Sequence, residues 1–303
     1  MKKKRSFLGN LARYKVQYIM IMFGVICLII FNYIPMIGLQ IAFKNFKPGN
    51  TIWNAKWVGL DNFWFLKDPE FWRVVKNTLT LTITKFAITF PAPIILALLI
   101  NEVKSVQFKK IVQSITYIPH FISWVVIAYM LDSFLSPYTG VINLIIEKLG
   151  GSKIFFMGDV NWFVPLVVIA SVWKEVGWGT IIYLAAITGI NPELYEAAKL
   201  DGAGKWNQMK YITLPCIRPT IVLLLILAIP SILSAGVDAV YPLMNNANLE
   251  VSTVLDTYVL INGLQQGKFS LATAVGMISS ILGFILIMTA NKVANAINGE
   301  GLW

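Results

Sequence analysis

The chain has 303 residues, 57% of them hydrophobic and only 13% charged. Its mean hydropathy of +0.68 excludes an ordinary soluble domain. The net charge of +10 raises nucleic acid as a partner, but the charges are distributed as membrane topology would place them.

A helix crossing the hydrocarbon layer needs about 20 mostly apolar residues. The first candidate, Val16 to Phe43, follows the basic cluster Lys2-Lys3-Lys4-Arg5. That opening resembles a secretory signal, but the run is long and no small-x-small site closes it, so the span is expected to be retained. Pro35 and Gly38 predict a kink or fraying toward its far end. Residues 44–76 then form a polar segment holding Trp53, Trp57, Trp64 and Trp72. Such residues suit the membrane interface, with indole bodies buried and N–H groups wet; stacking on sugar is the sharper alternative.

The second span, Asn77 to Asn101, is interrupted only by Lys85. Its opening, Asn77-Thr78-Leu79-Thr80-Leu81-Thr82-Ile83-Thr84, alternates with the period of a strand. A lone strand in lipid would leave its backbone unpaired, whereas threonines bond back to helical carbonyls, so helix is expected. Pro91 and Pro93 mark a bend. A short basic loop, 101–110, leads to the third span, Ile111 to Leu131. It carries the only histidine, His120, for which a satisfied polar side chain is favoured over a metal or catalytic role because no partner cluster accompanies it.

A second segment expected outside, 132–159, precedes the fourth span, Val160 to Pro192, which holds Lys174 and Glu175. A central charge facing lipid costs on the order of 3 kcal/mol, so both are expected to face the interior. They are read as a packing pair or, less simply, as sugar contacts. Trp173, Trp178 and Tyr183 lie nearby and join Lys174 as candidates for a substrate path, as do Asp238 and Tyr241 beyond the fifth span, Pro219 to Val237. Pro230 predicts a kink there. A third outside segment, 238–268, has a turn at Asn245-Asn246-Ala247-Asn248, and the last span is Phe269 to Asn291. Cys27 and Cys216 fall at different depths, so no disulfide is expected.

Six spans with an inside N-terminus put 14 Lys and Arg inside against nine outside, with five acidic residues inside and nine outside. This is the positive-inside pattern. It orients both termini to the cytoplasm and assigns the basic excess to topology and anionic lipid, not nucleic acid. The chain reads as one all-α integral membrane domain, 1–303, with no internal repeat.

The polar segment 191–217 between the fourth and fifth spans is longer than a mere connection needs. Asn191-Pro192 is an N-cap followed by proline at the first helical position, and Glu193 suits the positive helix end. The helix is predicted to run to about Leu200, with a turn at Asp201-Gly202-Ala203-Gly204 in which Gly202 is left-handed. A second short helix, Lys205 to about Thr213, should end at Leu214-Pro215. Leu194, Ala197, Ala198 and Asp201 share one face by spacing. That face could enter a groove on another protein or pack beneath its own bundle.

Glu196-Ala197-Ala198, three residues, Gly202, nine residues, then Ile212-x-Leu214-Pro215 resembles the EAA loop of ABC importer membrane subunits. FNYIPMIGLQIAFKNF, VGLDNF, PAPIILALLINEV, YIPHFISWVV and WKEVGWGTIIYLAAITGINPELYEAAKLDGAG together resemble the carbohydrate permeases related to MalF and, more closely, the LplB-type oligosaccharide permeases. The resemblance implies a type I importer fold with a cytoplasmic coupling helix. It implies a second, related permease chain, two cytoplasmic ATPase subunits and an extracytoplasmic sugar-binding protein. The coupling residues it marks are Leu194, Tyr195, Glu196, Ala197, Ala198, Asp201, Gly202, Ala203, Leu214 and Pro215. No Walker A loop is present: Gly204-Lys205 is followed by Trp206, and Gly267-Lys268 by Phe269. ATP and its Mg are therefore expected in partner chains, with no cofactor in this one. Two departures fall near the expected path: Gly236-Val237-Asp238 stands where relatives tend to have Gly-Phe-Glu, and Pro230 where glycine is frequent. A secondary transporter of small polar solutes is the alternative reading, for which only Glu175 offers an intramembrane carboxylate. A membrane-embedded enzyme lacks any catalytic constellation.

Overall fold

The computed structural model describes residues 14–298. The basic cluster Lys2–Arg5 and Arg13, on which part of the orientation argument rests, lies outside the described residues. In chain order the elements begin with α1 (Lys15–Leu28), β1 (Lys44–Asn45), β2 (Lys56–Trp57), α2 (Pro69–Thr89), α3 (Pro91–Glu102), α4 (Val106–Tyr117) and α5 (Trp124–Leu135). They continue with α6 (Val141–Lys148), α7 (Val160–Thr188), α8 (Pro192–Leu200), α9 (Lys205–Gln208) and α10 (Leu214–Ala228). Three short helices, α11 (Val237–Val240), α12 (Leu249–Ser252) and α13 (Leu255–Val259), precede α14 (Phe269–Asn298). Among the described residues five helical stretches are long and apolar enough to cross a membrane, and a sixth candidate is a bent pair.

The chain divides into two units, one of residues 1–64 and 262–277 and the other of residues 65–261 and 278–303. In the first unit, α1 buries none of its side chains, and the helix loosens through a π turn, Ile29–Tyr33, into a 3-10 stretch, Ile34–Phe43, as Pro35 and Gly38 predict. A two-stranded ribbon, unforeseen in the sequence, pairs Lys44 with Trp57 and Asn45 with Lys56. It is held from the side: Asn62 Nδ2 donates to the carbonyls of Ala42 and Lys44, both at 2.9 Å. Ser270 Oγ donates to the Lys44 carbonyl at 2.7 Å. Trp57 stacks on Phe43 with centroids 5.7 Å apart, while Trp53 is 73% exposed.

In the second unit α7 is the central helix, burying Phe163, Val167, Ser171, Lys174, Gly177 and Tyr183 among others. One apolar cluster gathers Leu81, Ala128, Phe163, Val167, Val240 and Val254. Another joins Ala97, Tyr183, Ile187 and Ile217. Gly177 permits the closest approach, because a Cβ there would fall 2.0 Å from the Thr116 carbonyl oxygen. The alternating threonine segment is helical as expected, with Thr78 and Thr82 donating to the carbonyls of Val74 and Thr78 at 2.8 and 2.7 Å.

Four expectations about the helices are corrected. The second helix starts at Pro69, eight residues before Asn77, because Asp68 accepts from the Glu70 amide at 2.9 Å and Pro69 occupies the first helical position. Residues 69–76 of the segment expected outside are thus the first turns of α2. The third span is not straight: the helix ending at Phe121 and α5 meet at 102°. Ile122 and Ser123 are extended there, and Ser123 Oγ caps the new helix by accepting from the Val126 amide at 3.3 Å.

The third correction is that the helix from Lys205 does not end at Thr213. A π turn, Met209–Thr213, carries it into α10 with Leu214 still helical. The wider i→i+5 spacing makes room for Pro215, which lacks an amide and would otherwise crowd the preceding turn. Lastly, the continuous helical stretch that carries the fifth span runs Lys205–Leu233, beginning within the 191–217 segment and ending in a 3-10 turn over Pro230 before Val237.

Candidate coupling loop and interior polar cluster

Both regions below lie within the second unit. The exposed one is local in origin. Asn191 Oδ1 accepts from the Glu193 amide at 3.1 Å and Pro192 follows as the first helical residue, so α8 begins where the sequence signals it. It ends in a Schellman turn: the Ala203 amide donates to Ala198 O at 2.8 Å and the Gly202 amide to Lys199 O at 3.1 Å. Gly202 takes φ +78°, with nothing within 4 Å of where its Cβ would be. A side chain is refused there by backbone strain alone.

None of the nine residues of α8 is buried. Tyr195 and Ala198 are half-buried, and Tyr195 Oη shares a hydrogen bond with Thr213 Oγ1 at 2.9 Å. Leu194, Glu196, Ala197 and Asp201 remain exposed, as is Leu200 at 89%. The packed face is therefore Tyr195 and Ala198, not the Leu194 to Asp201 stripe. Gln208 Nε2 donates to the Ala203 carbonyl at 2.7 Å and ties the return helix to the turn, and Lys205 pairs with Glu102. Leu214 and Pro215 begin α10 instead of closing the loop.

The interior region is long-range in origin. Bending the chain between Phe121 and Trp124 removes helical partners from nearby carbonyls, and Lys174 Nζ donates into that gap. It reaches the His120 carbonyl and, at 2.7 Å, the Ile122 carbonyl. The lysine is 7% exposed, and its ammonium meets the negative end of the broken helix. Its neighbour Glu175 lies 4.0 Å away and instead accepts from His120 Nδ1 at 2.8 Å. A carboxylate acceptor places the proton on Nδ1. The imidazole lies flat on Trp178, with centroids 4.4 Å apart and planes 3° off parallel, and Phe121 meets the indole edge-on. His120 is thus the satisfied polar side chain that the sequence favoured. The sequence reading missed that it belongs with Glu175 and Trp178, a pairing 55 residues apart in the chain.

The remaining candidates separate. Asp238 and Tyr241 line a cavity of about 350 Å³ together with Ser123, Trp124 and Lys174. Tyr241 also borders a wider groove of about 770 Å³ with Tyr129, Asp132 and Asn246. Trp173 is 42% exposed on α7. Tyr183 is 3% exposed and packs with Ala97, Ile187 and Ile217, so it is a core residue away from these cavities.

A mostly helical chain with five or six membrane-length helices among the described residues, and an exposed capped helix between two of them, has the fold of a membrane permease. Residues 89–298 match the family described as the binding-protein-dependent transport system inner membrane component, and the chain belongs to that family. Among curated proteins it is similar to protein LplB of Bacillus subtilis (strain 168), 44% identical over 98% of this chain and 94% of that protein. It is also 47% identical to the polygalacturonan/rhamnogalacturonan transport system permease protein YteP of the same organism, over 99% of this chain and 94% of that one. Among solved structures it resembles a bacterial ABC transporter involved in import of the acidic polysaccharide alginate, with TM-score 0.89 and 40% identity, covering 96% of this chain and 99% of that one. The same similarity extends to an alginate ABC transporter in complex with its pentasaccharide-bound periplasmic protein, at TM-score 0.90 and 39% identity over 98% and 100% of the two chains.

Proposed function

We propose that this chain is one of the two permease subunits of an ATP-driven oligosaccharide importer in the bacterial plasma membrane. The observation that carries the coupling assignment is α8: a capped nine-residue helix without a buried side chain, half-buried at Tyr195 and Ala198 and exposed at its other residues. A helix so firmly terminated and so little packed is suited to insertion into another protein. The family membership supports a cytoplasmic ATPase as that protein, with the extracytoplasmic sugar-binding protein on the opposite face. The charge bias supports placing 191–217 and both termini in the cytoplasm.

ATP and Mg would bind in the partner subunits, and this chain would contribute the path and the lever. Closure of the ATPases would move α8. The Schellman turn and the Gln208 to Ala203 bond would pass that motion through α9 into α10 as one body.

The sugar path is assigned to the interior cluster. Glu175 and His120 are half-exposed within otherwise apolar helices, where lipid contact would cost on the order of 3 kcal/mol for the charge. Facing a wet path, Glu175 and the imidazole Nε2 offer acceptors to sugar hydroxyls, and Trp173 and Trp178 offer apolar surface to sugar C–H faces. Lys174 is withdrawn from direct contact because its ammonium is engaged by two carbonyls.

The test is uptake of labelled oligosaccharides into proteoliposomes carrying the full importer. The account expects uptake only with ATP, the ATPases and the binding protein all present, and an at least tenfold loss on His120→Ala or Glu175→Gln in complexes that still assemble. Uptake by this chain alone, driven by an ion gradient without ATP, would refute it and restore the secondary-transporter reading.

A further inference from the structure

Lys85 is the other charge placed inside a span, and its ammonium is also directed at a helix break. The fifth span ends at Leu233 and α11 starts at Val237. Between them the backbone is non-helical, with Gly236 at φ +84°. Several polar groups at the break are met from other elements. Lys85 Nζ donates to the Ala235 carbonyl at 3.1 Å. Thr82 Oγ1, one turn earlier on α2, lies 2.6 Å from the Ile232 carbonyl and shares its single proton between that oxygen and the Thr78 carbonyl. From α13, Asp256 Oδ2 accepts from the Gly236 amide at 2.9 Å and from Ser234 Oγ at 3.1 Å. Donors are offered by one element and an acceptor by another, and Asp256 is also among the opposite charges acting on Lys85.

We propose that Lys85, Thr82 and Asp256 form a clamp that holds residues 234–236 out of helical register after the Ile229–Leu233 turn and thereby positions the cavity wall formed by Asp238 of α11 and the following Tyr241. Unpaired backbone groups at membrane depth seek partners. Without the clamp, residues 234–236 would wind on from the preceding 3-10 turn and rotate Asp238 away from the cavity. The assignment of a transport consequence rests on the importer reading; the geometry of the clamp does not.

The test uses the full importer in proteoliposomes with Cys27→Ser and Cys216→Ser as background. A reporter cysteine is introduced at the cavity (Asp238→Cys) or at a remote exposed position (Tyr138→Cys, where the tyrosine is 86% exposed). The rate of labelling by a small polar maleimide is then measured. Lys85→Met is expected to change labelling at 238 at least fivefold, leave 138 within twofold, and be reversed by Lys85→Arg. Thr82→Val, the milder variant, is expected to shift 238 by about half as much on a logarithmic scale. Unchanged labelling at 238 in both Lys85→Met and Thr82→Val overturns the clamp. So does an equal change at 238 and 138, which would mean general loosening. Because labelling needs no transport, a failure of wild-type sugar uptake would count against the importer reading and leave this result standing.

Discussion

The coupling loop and the interior cluster solve opposite problems. The loop, 191–217, satisfies its backbone with neighbours in sequence: Asn191 caps α8, Gly202 closes it, and Gln208 returns to Ala203 five residues away. Its side chains are left to solvent or a partner. The cluster satisfies its backbone from another helix: Lys174 crosses 54 residues to reach the His120 carbonyl, and the side chains that remain free are few. A loop with the docking role proposed for 191–217 would have to keep its shape on its partner, which local order provides. A path through lipid can tolerate a broken helix only where the rest of the bundle supplies the missing partners.

Perturbations of the bundle should therefore be global and those of the loop confined. The largest effect is expected at Gly177→Val, since even a Cβ would lie 2.0 Å from a backbone carbonyl oxygen of α4. Overpacking of this kind costs on the order of 3 kcal/mol, and size-exclusion of the detergent-solubilised importer should show loss of the folded species. Lys174→Met should come next. It leaves the His120 and Ile122 carbonyls without their donor at a cost of about 2–3 kcal/mol. The midpoint of thermal unfolding should drop by several degrees, with Lys174→Arg milder. If the methionine variant is as stable as wild type, the break at 121–123 is not held as described. Tyr195→Phe should be the smallest, removing one hydrogen bond to Thr213 for about 1 kcal/mol. It should leave the unfolding midpoint nearly unchanged while measurably reducing ATPase association.

This contrast also explains what was legible in advance. Asn191-Pro192, Gly202 and the Leu200 boundary could be read because caps and left-handed turns are written in adjacent residues. Asp68-Pro69-Glu70 carried the same signature as Asn191-Pro192-Glu193. Arg73 and Lys76 interrupt the apolar run that follows it, so composition alone starts the helix eight residues late. The bend at 121–123 was partly written, in Pro119 and Ser123, but its angle depends on Lys174 arriving from α7. No periodicity announces that. The π turn at 209–213 is likewise a compromise between Pro215 and the demand for a continuous helix, and proline alone reads as a stop. Tyr183 had the residue type for a sugar contact, and only packing against Ala97 and Ile217 identifies it as core.

The most direct test of the central claim concerns the exposed face of α8. With Ala197→Cys introduced in the Cys27→Ser, Cys216→Ser background, labelling by a bulky maleimide is compared in the intact importer and after the ATPase subunits are stripped. The account predicts strong protection in the intact complex and rapid labelling once the ATPases are gone. Equal labelling in both would mean that α8 docks on nothing, and would contradict its role as the lever between ATP hydrolysis and the path.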